Sequence, residues 1–245
     1  MSAPLFPGGV AVSDLAVYDW EAADGCRGGS PHLHTASSEG YVVVGGAGAV
    51  ETLSASGAEV HELAIGDVVW FSPGTVHRLI NHGDLRLLVV MANAGLPEAG
   101  DAVLTFPDEV LDDPEAYAAA ATLPDGPDRA AAARARRDLA LEGYARLRAE
   151  IDATGPAALH ALHARAARLV QPRVAGWTAT WEATVVAETQ RTRAQLAALA
   201  AGDPGALAAA AVMRGEPTPG DRAYGMCGRL QTWRWPTSGE ATDIG

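Results

Sequence analysis

The chain has 245 residues, 48% of them hydrophobic, enough to bury a sizeable core, and a formal net charge of −12. That charge repels nucleic-acid phosphates and anionic lipid head groups, so neither a nucleic acid nor a membrane is an expected partner. All 18 basic residues are Arg, and without a lysine the chain offers no Schiff-base chemistry, no pyridoxal phosphate attachment and no P-loop lysine.

Residues 10–95 read as short runs rich in Val, Ile, Leu and Tyr, with Gly, Pro, Asn or Asp punctuation about every 8 to 12 residues, the rhythm of a β-sandwich or barrel. Strands are expected at 10–18, 40–44, 49–53, 59–63, 68–71, 76–80 and 85–91, the last a continuous apolar run suited to a buried position. Residues 1–95 are assigned to this β-barrel domain and 96–126 to a loop-rich connector marked by Pro97, Pro107 and Pro114. Residues 127–245 are assigned to an Ala- and Arg-rich helical region that ends in an extended segment around 225–233. Leu139, Leu147 and Ile151, and later Trp177, Trp181 and Val185, recur at helical spacing. Two or three helices over 127–201 are therefore expected to pack on the barrel or on a partner subunit. Trp233 or Trp235 is a candidate to complete a wall there. No internal repeat argues for a second barrel.

Cys26 and Cys227 are too few for a disulfide framework and lie in no C-x-x-C pair, so both are read as free thiols and Cys26 as structural. A basic start followed by an apolar run is absent, as is any apolar stretch of the roughly 18 to 20 residues that cross a bilayer, which makes the cytoplasm the expected location.

Five of the seven histidines fall between 32 and 82, inside the expected barrel. In an extended strand, His32-Leu33-His34 places two imidazoles on one face, because side chains alternate. Glu39 opens the next strand and Gly46 is expected to end it. Further on, Gly66 to Asn81 contains the turn Ser72-Pro73-Gly74, then His77, then Asn81.

The stretch from Gly25 through His32, His34 and Glu39 to Gly46 resembles the first motif of the cupin superfamily, and Gly66 through Asn81 resembles the second. The family's leading glycine falls at Cys26, with Gly25 one position early, and its turn proline falls at Ser72, with Pro73 one position late. Both departures concern turn geometry and leave the ligand positions untouched. The resemblance covers residues 25–91 and implies a jelly-roll barrel holding one divalent metal on His32, His34, Glu39 and His77. Three imidazoles and a carboxylate suit Fe, Mn, Ni, Co, Cu or Zn and leave coordination positions open. A lone strand histidine is more often a satisfied core or surface residue; four candidates in a two-part pattern outweigh that reading.

His61 reads as a strand surface residue and His82 as part of a turn, with the barrel mouth as the alternative for either. His160 and His163, three apart on a helix, read as a solvated pair. Arg78 is expected to point away from His77, outside the barrel, and Arg27 is the candidate anchor for an anionic substrate. A metal in an apolar barrel suggests a non-haem metal-dependent oxygenase acting on a small organic molecule. The alternatives are a sugar or sugar-phosphate isomerase or epimerase, whose motif resembles residues 73–81, and a non-catalytic ligand-binding cupin. The family resemblance also implies a homodimer.

Overall fold

The structure, a computed structural model, describes residues 6–235. Its first half forms β1 (Ala11–Val17), β2 (His32–His34), β3 (Glu39–Ser54), β4 (Gly57–Ala64), β5 (Val68–Phe71), β6 (Val76–Met91) and β7 (Ala102–Leu104). The two 16-residue strands β3 and β6 organise the barrel, pairing antiparallel from Glu39 opposite Met91 to Leu53 opposite Val76. Register shifts between Val43 and Gly48 bend this ladder. Before the bend the free edge of β3 pairs with β5, and after it with β4; β6 likewise pairs with β2 in its first part and β1 in its second. Two strands thus cross from one layer to the other and close a jelly roll, the expected fold.

The expected breaks at 45–48 and 81–84 are therefore bulges inside continuous strands, not turns between separate ones. Gly46 sits at φ 65, and a Cβ there would lie 2.2 Å from the Asp84 carbonyl oxygen, so only glycine permits the close approach. Across the bulge, Asn81 Oδ1 accepts from the N–H groups of Gly83 and Leu85 while its amide donates to the Val17 carbonyl. Ladder donors freed by the bend are thereby satisfied.

The second half forms α1 (Asp108–Leu111), α2 (Pro114–Ala121), α3 (Arg129–Thr154), α4 (Ala157–Val170), α5 (Val174–Trp181) and α6 (Ala187–Ala200). The connector read as loops contains α1 and α2. Asp113 caps α2, accepting from the N–H groups of Glu115 and Ala116, with Pro114 at the first helical position. Beyond α6 come β8 (Glu216–Pro217), β9 (Ala223–Tyr224), β10 (Gly228–Gln231) and β11 (Trp233–Arg234). The expected extended segment supplies β10, which pairs with β1 and so adds to the barrel sheet.

Period-two alternation gives the barrel wall two buried faces. Inside, Tyr41, Val43, Val50, Leu79, Leu85, Leu87 and Val89 fill one end of the barrel. Outside, Leu33, Leu53, Val76, Val103 and Leu104 meet Tyr144 and Leu147 of α3 and Leu159 and Leu162 of α4. Each large side chain covered in this way contributes roughly 1.5 to 3 kcal/mol. Trp177 joins the same cluster, but Trp181 is 40% exposed and α6 buries no residue, so the expected apolar stripe is covered only in its first part. No helix of the described residues is long and apolar enough to cross a membrane.

Candidate metal centre

His32 and His34 come from β2, Glu39 begins β3 and His77 lies near the start of β6, with His32 directly opposite His77 in the ladder. One donor atom from each lies within 4.8 Å of all the others. His32 Nε2 is 3.2 Å from His77 Nε2, and Glu39 Oε2 is 3.0 Å from His77 Nε2 and 3.2 Å from His34 Nε2. Leu33 between the two histidines points the other way into the helix-facing core, as strand alternation requires.

Each imidazole is turned inward by a bond on its far side. His32 Nδ1 meets the Ser30 carbonyl at 2.9 Å and His77 Nδ1 the Thr75 carbonyl at 3.1 Å; a carbonyl only accepts, so both Nδ1 atoms carry the proton. His34 Nδ1 lies 2.7 Å from Asp101 Oδ1, whose second oxygen accepts from the Ser37 N–H. With Nδ1 on the far side of each ring, the three Nε2 atoms are turned towards one another and towards Glu39. Glu39 Oε2, fully buried, has no well-formed hydrogen bond. Ring nitrogens this close together around a buried carboxylate oxygen without a well-formed hydrogen bond are costly alone. A cation at their centre removes the cost, and neutral imidazoles fixed from behind by carbonyl and carboxylate are what such a cation requires. The donor set fits a transition metal.

In the metal-free centre a proton on His34 takes the place of the cation. Burial alone depresses His34, but the Glu39 and Asp101 carboxylates outweigh it and raise its pKa to about 10. Burial with the neighbouring His77 and His34 holds His32 well below the usual range, so it stays neutral. For Glu39, burial acts upward and is overcome by His77 and His34, which keep the carboxyl ionised. Burial first and Glu39 second push the Tyr41 phenol well up, and burial does the same to the Cys227 thiol, leaving both protonated and unreactive.

Beside the cluster opens a cleft of about 510 Å³, bounded by β4, β5, the 54–56 hairpin and α4. Thr52, Glu59, His61, Phe71, Thr75 and His163 are among its lining residues. Phe71 also touches the centre, its ring 4.3 Å from that of His77. His61 thus faces the mouth, with Nε2 3.5 Å from both Thr52 Oγ1 and Glu59 Oε2, and its expected surface position is corrected. The period-two register explains this: Thr52 pairs with His77 and Val50 with His61, so all four share the inward face. His82 stays outside, half exposed near Glu62. Arg27 is not among the cleft residues, and neither are Trp233 and Trp235; the tryptophan at the mouth is Trp70.

Arg78 does point away from His77, but that outer face lies against α3. It is buried at 3% exposure and paired with Asp24 and Glu51, so it is an internal ion pair. His163 is not part of a solvated pair: its Nε2 donates to the Gly74 carbonyl at 2.8 Å. Asp101 was not singled out in the sequence. Nothing local marks it, since its contact with His34 arises only when the chain returns 67 residues later to place β7 beside β2.

Fold and site together define a double-layered barrel with a His3Glu cluster, and the comparisons agree: residues 19–91 match the family model described as a cupin domain. Residues 19–91 are a cupin domain. No curated protein matches the sequence. Among solved structures, an uncharacterized protein with a double-stranded beta-helix domain from Klebsiella pneumoniae is 19% identical, with a TM-score of 0.30 over 37% of this chain and 73% of that one. A cupin protein from Bacteroides fragilis is 22% identical, with a TM-score of 0.26 over 35% of this chain and 65% of that one. Pac13, a nucleoside dehydratase found in Streptomyces, is 18% identical, with a TM-score of 0.29 over 42% of this chain and 82% of that one. Likenesses this distant carry no argument about activity.

Proposed function

We propose that His32, His34, Glu39 and His77 hold one divalent transition-metal ion (Fe, Mn, Ni, Co, Cu or Zn) and that the protein is a non-haem metal-dependent oxygenase acting on a small organic molecule admitted through the adjacent cleft. The observation that carries this reading is the inward aim of three Nε2 atoms, each ring held from behind, around one buried carboxylate. When bound, such an ion with open coordination positions supplies Lewis-acid or redox chemistry. The chain itself does the rest. Asp101 orients His34 and gives up no proton, being held ionised despite its burial by its bond to His34 and by the His34 charge. Phe71 and Val69 form an apolar wall against which a ring can lie, and Phe71 screens His77 from water.

A second reading, isomerisation or another proton transfer, is favoured by one observation: an imidazole and a carboxylate able to carry a proton, His61 and Glu59, both line the cleft wall. No arginine lines the cleft, so an uncharged hydroxylated substrate fits it better than a sugar phosphate. The non-catalytic reading keeps the same site without turnover. A homodimer remains the proposed assembly, with the outer face of β3 and β5 available to it, where Val44, Val68 and Trp70 are exposed. Dioxygen uptake by the Fe(II)-loaded protein with catechols and enols tests the first reading. Uptake that disappears in His77→Ala is expected. Hydrogen exchange into a polyol without dioxygen uptake, abolished in His61→Gln, would instead establish the second.

A further inference from the structure

We infer that His163, on α4 in the helical half, is a positioning residue for the metal ligands of the barrel; the inference rests on the metal reading above. Its Nε2 donates to the Gly74 carbonyl at 2.8 Å, and because a carbonyl can only accept, the ring must carry its proton there. Gly74 is the hub of the 72–75 turn. Its N–H donates to the His34 carbonyl at 2.8 Å, and the next residue, Thr75, closes the turn on the Ser72 carbonyl and offers its own carbonyl to His77 Nδ1. One peptide segment therefore touches the backbone of one ligand and the ring of another. His163 is the helical side chain that fixes its orientation. Gly74 has φ +85, and a Cβ there would stand 3.3 Å from His163 Nε2, so the glycine both adopts the left-handed turn and admits the imidazole.

The helix is a firm support for such a contact. Leu159, Leu162 and Ala166 of α4 are buried in the core shared with the outer face of the barrel, so His163 approaches the turn from a fixed direction. Its neighbour His160, one turn earlier, is exposed. The turn itself is short and glycine-containing, with two further turn-forming residues in Ser72 and Pro73, and it leads directly into β6 at Val76. Through this bond the helical extension sets the tautomer and angle of His77, and with it the spacing of the Nε2 atoms of His77 and His32.

Titration of the full-length metal-free protein with Co²⁺ alone, followed by its visible ligand-field spectrum, tests the inference. Partners that orient a ligand from behind commonly change metal affinity about 10- to 100-fold, and for a contact one bond further out His163→Ala is expected to weaken Co²⁺ binding about 5- to 10-fold with an altered spectrum. His163→Gln, which keeps a side-chain N–H at similar reach, is expected to recover most of the affinity, and His160→Ala to change nothing. In the metal-free proteins, ¹⁵N spectra of the histidine rings should show His77 as a single Nδ1–H tautomer in wild type and as a mixture in His163→Ala. Wild-type affinity and spectrum in His163→Ala would overturn the inference. Equal weakening in the Ala and Gln variants would assign the effect to ring bulk and overturn it too. Failure of the wild type to bind Co²⁺ would overturn the metal reading itself, and this one with it.

Discussion

Helices α4 and α6 have the same length and much the same Ala-, Arg- and Leu-rich composition, yet α4 buries Ala158, Leu159, Leu162, Ala166 and Val170 while α6 buries nothing. The difference lies in arrangement. On α4 the buried positions recur every three or four residues and form one stripe, which meets the apolar outer face of the barrel wall at Leu53 and Val76. On α6, Arg191, Arg193 and Gln195 interrupt any such stripe, and Leu196 and Leu199 stay exposed. Composition announces a helix; only the stripe and a surface to receive it announce a contact. The same contrast explains why α4, and not α6, brings a histidine, His163, to the turn that precedes His77.

The sharpest way to break this contrast is to truncate a leucine on each helix. Leu159→Ala on α4 should cost about 2 to 5 kcal/mol of stability in denaturant titration, because it opens a cavity between helix and barrel. Leu196→Ala on α6 should stay within about 0.5 kcal/mol. Comparable losses at the two sites would mean that α6 is covered by a partner. A smaller effect distinguishes Asp101, which supports the centre from the loop before β7. Asp101→Asn keeps the shape but removes the charge that holds His34, and should weaken divalent-metal binding about 10- to 100-fold by calorimetry, where substitutions on α6 should leave it unchanged.

Smaller still is a dependence on pH. In the metal-free protein the His34 pKa is raised from 6.5 to about 10. A raised pKa means that the folded state favours the proton, so this stabilisation is complete below about pH 6.5 and is lost as pH rises towards 10. The thermal midpoint of metal-free protein should fall across that window, and His34→Gln should flatten the fall. Because a metal must displace the same proton, binding near pH 8 should release close to one proton per ion, read from calorimetry in buffers of different ionisation enthalpy.

How much of this was legible in the sequence depends on what each residue touches. His32, His34, Glu39 and His77 were legible because strand alternation and motif spacing fix a face without knowledge of the rest of the fold. The burial of Arg78 was not, since alternation gives its direction but not that α3 covers the outer wall. Continuity of β3 and β6 was hidden because Gly46 and Asn81 have the chemistry of turns and were used for bulges. His61 was misplaced for lack of a register: its inward face follows only once Val50 is known to stand opposite it. Asp101 left no signal at all, and His163 showed only as one of a pair at helical spacing. One acts across a long loop closure, and the other on a backbone carbonyl that every residue carries.

The central claim is that the four residues form a single metal site, and it is tested most directly by metal stoichiometry and affinity in wild type, His77→Ala, His61→Ala and His82→Ala. One tightly bound divalent ion per chain is expected in wild type and in the His61 and His82 variants, with loss of nearly all occupancy in His77→Ala. Equal occupancy in all four proteins, or equal loss across the three variants, would contradict it.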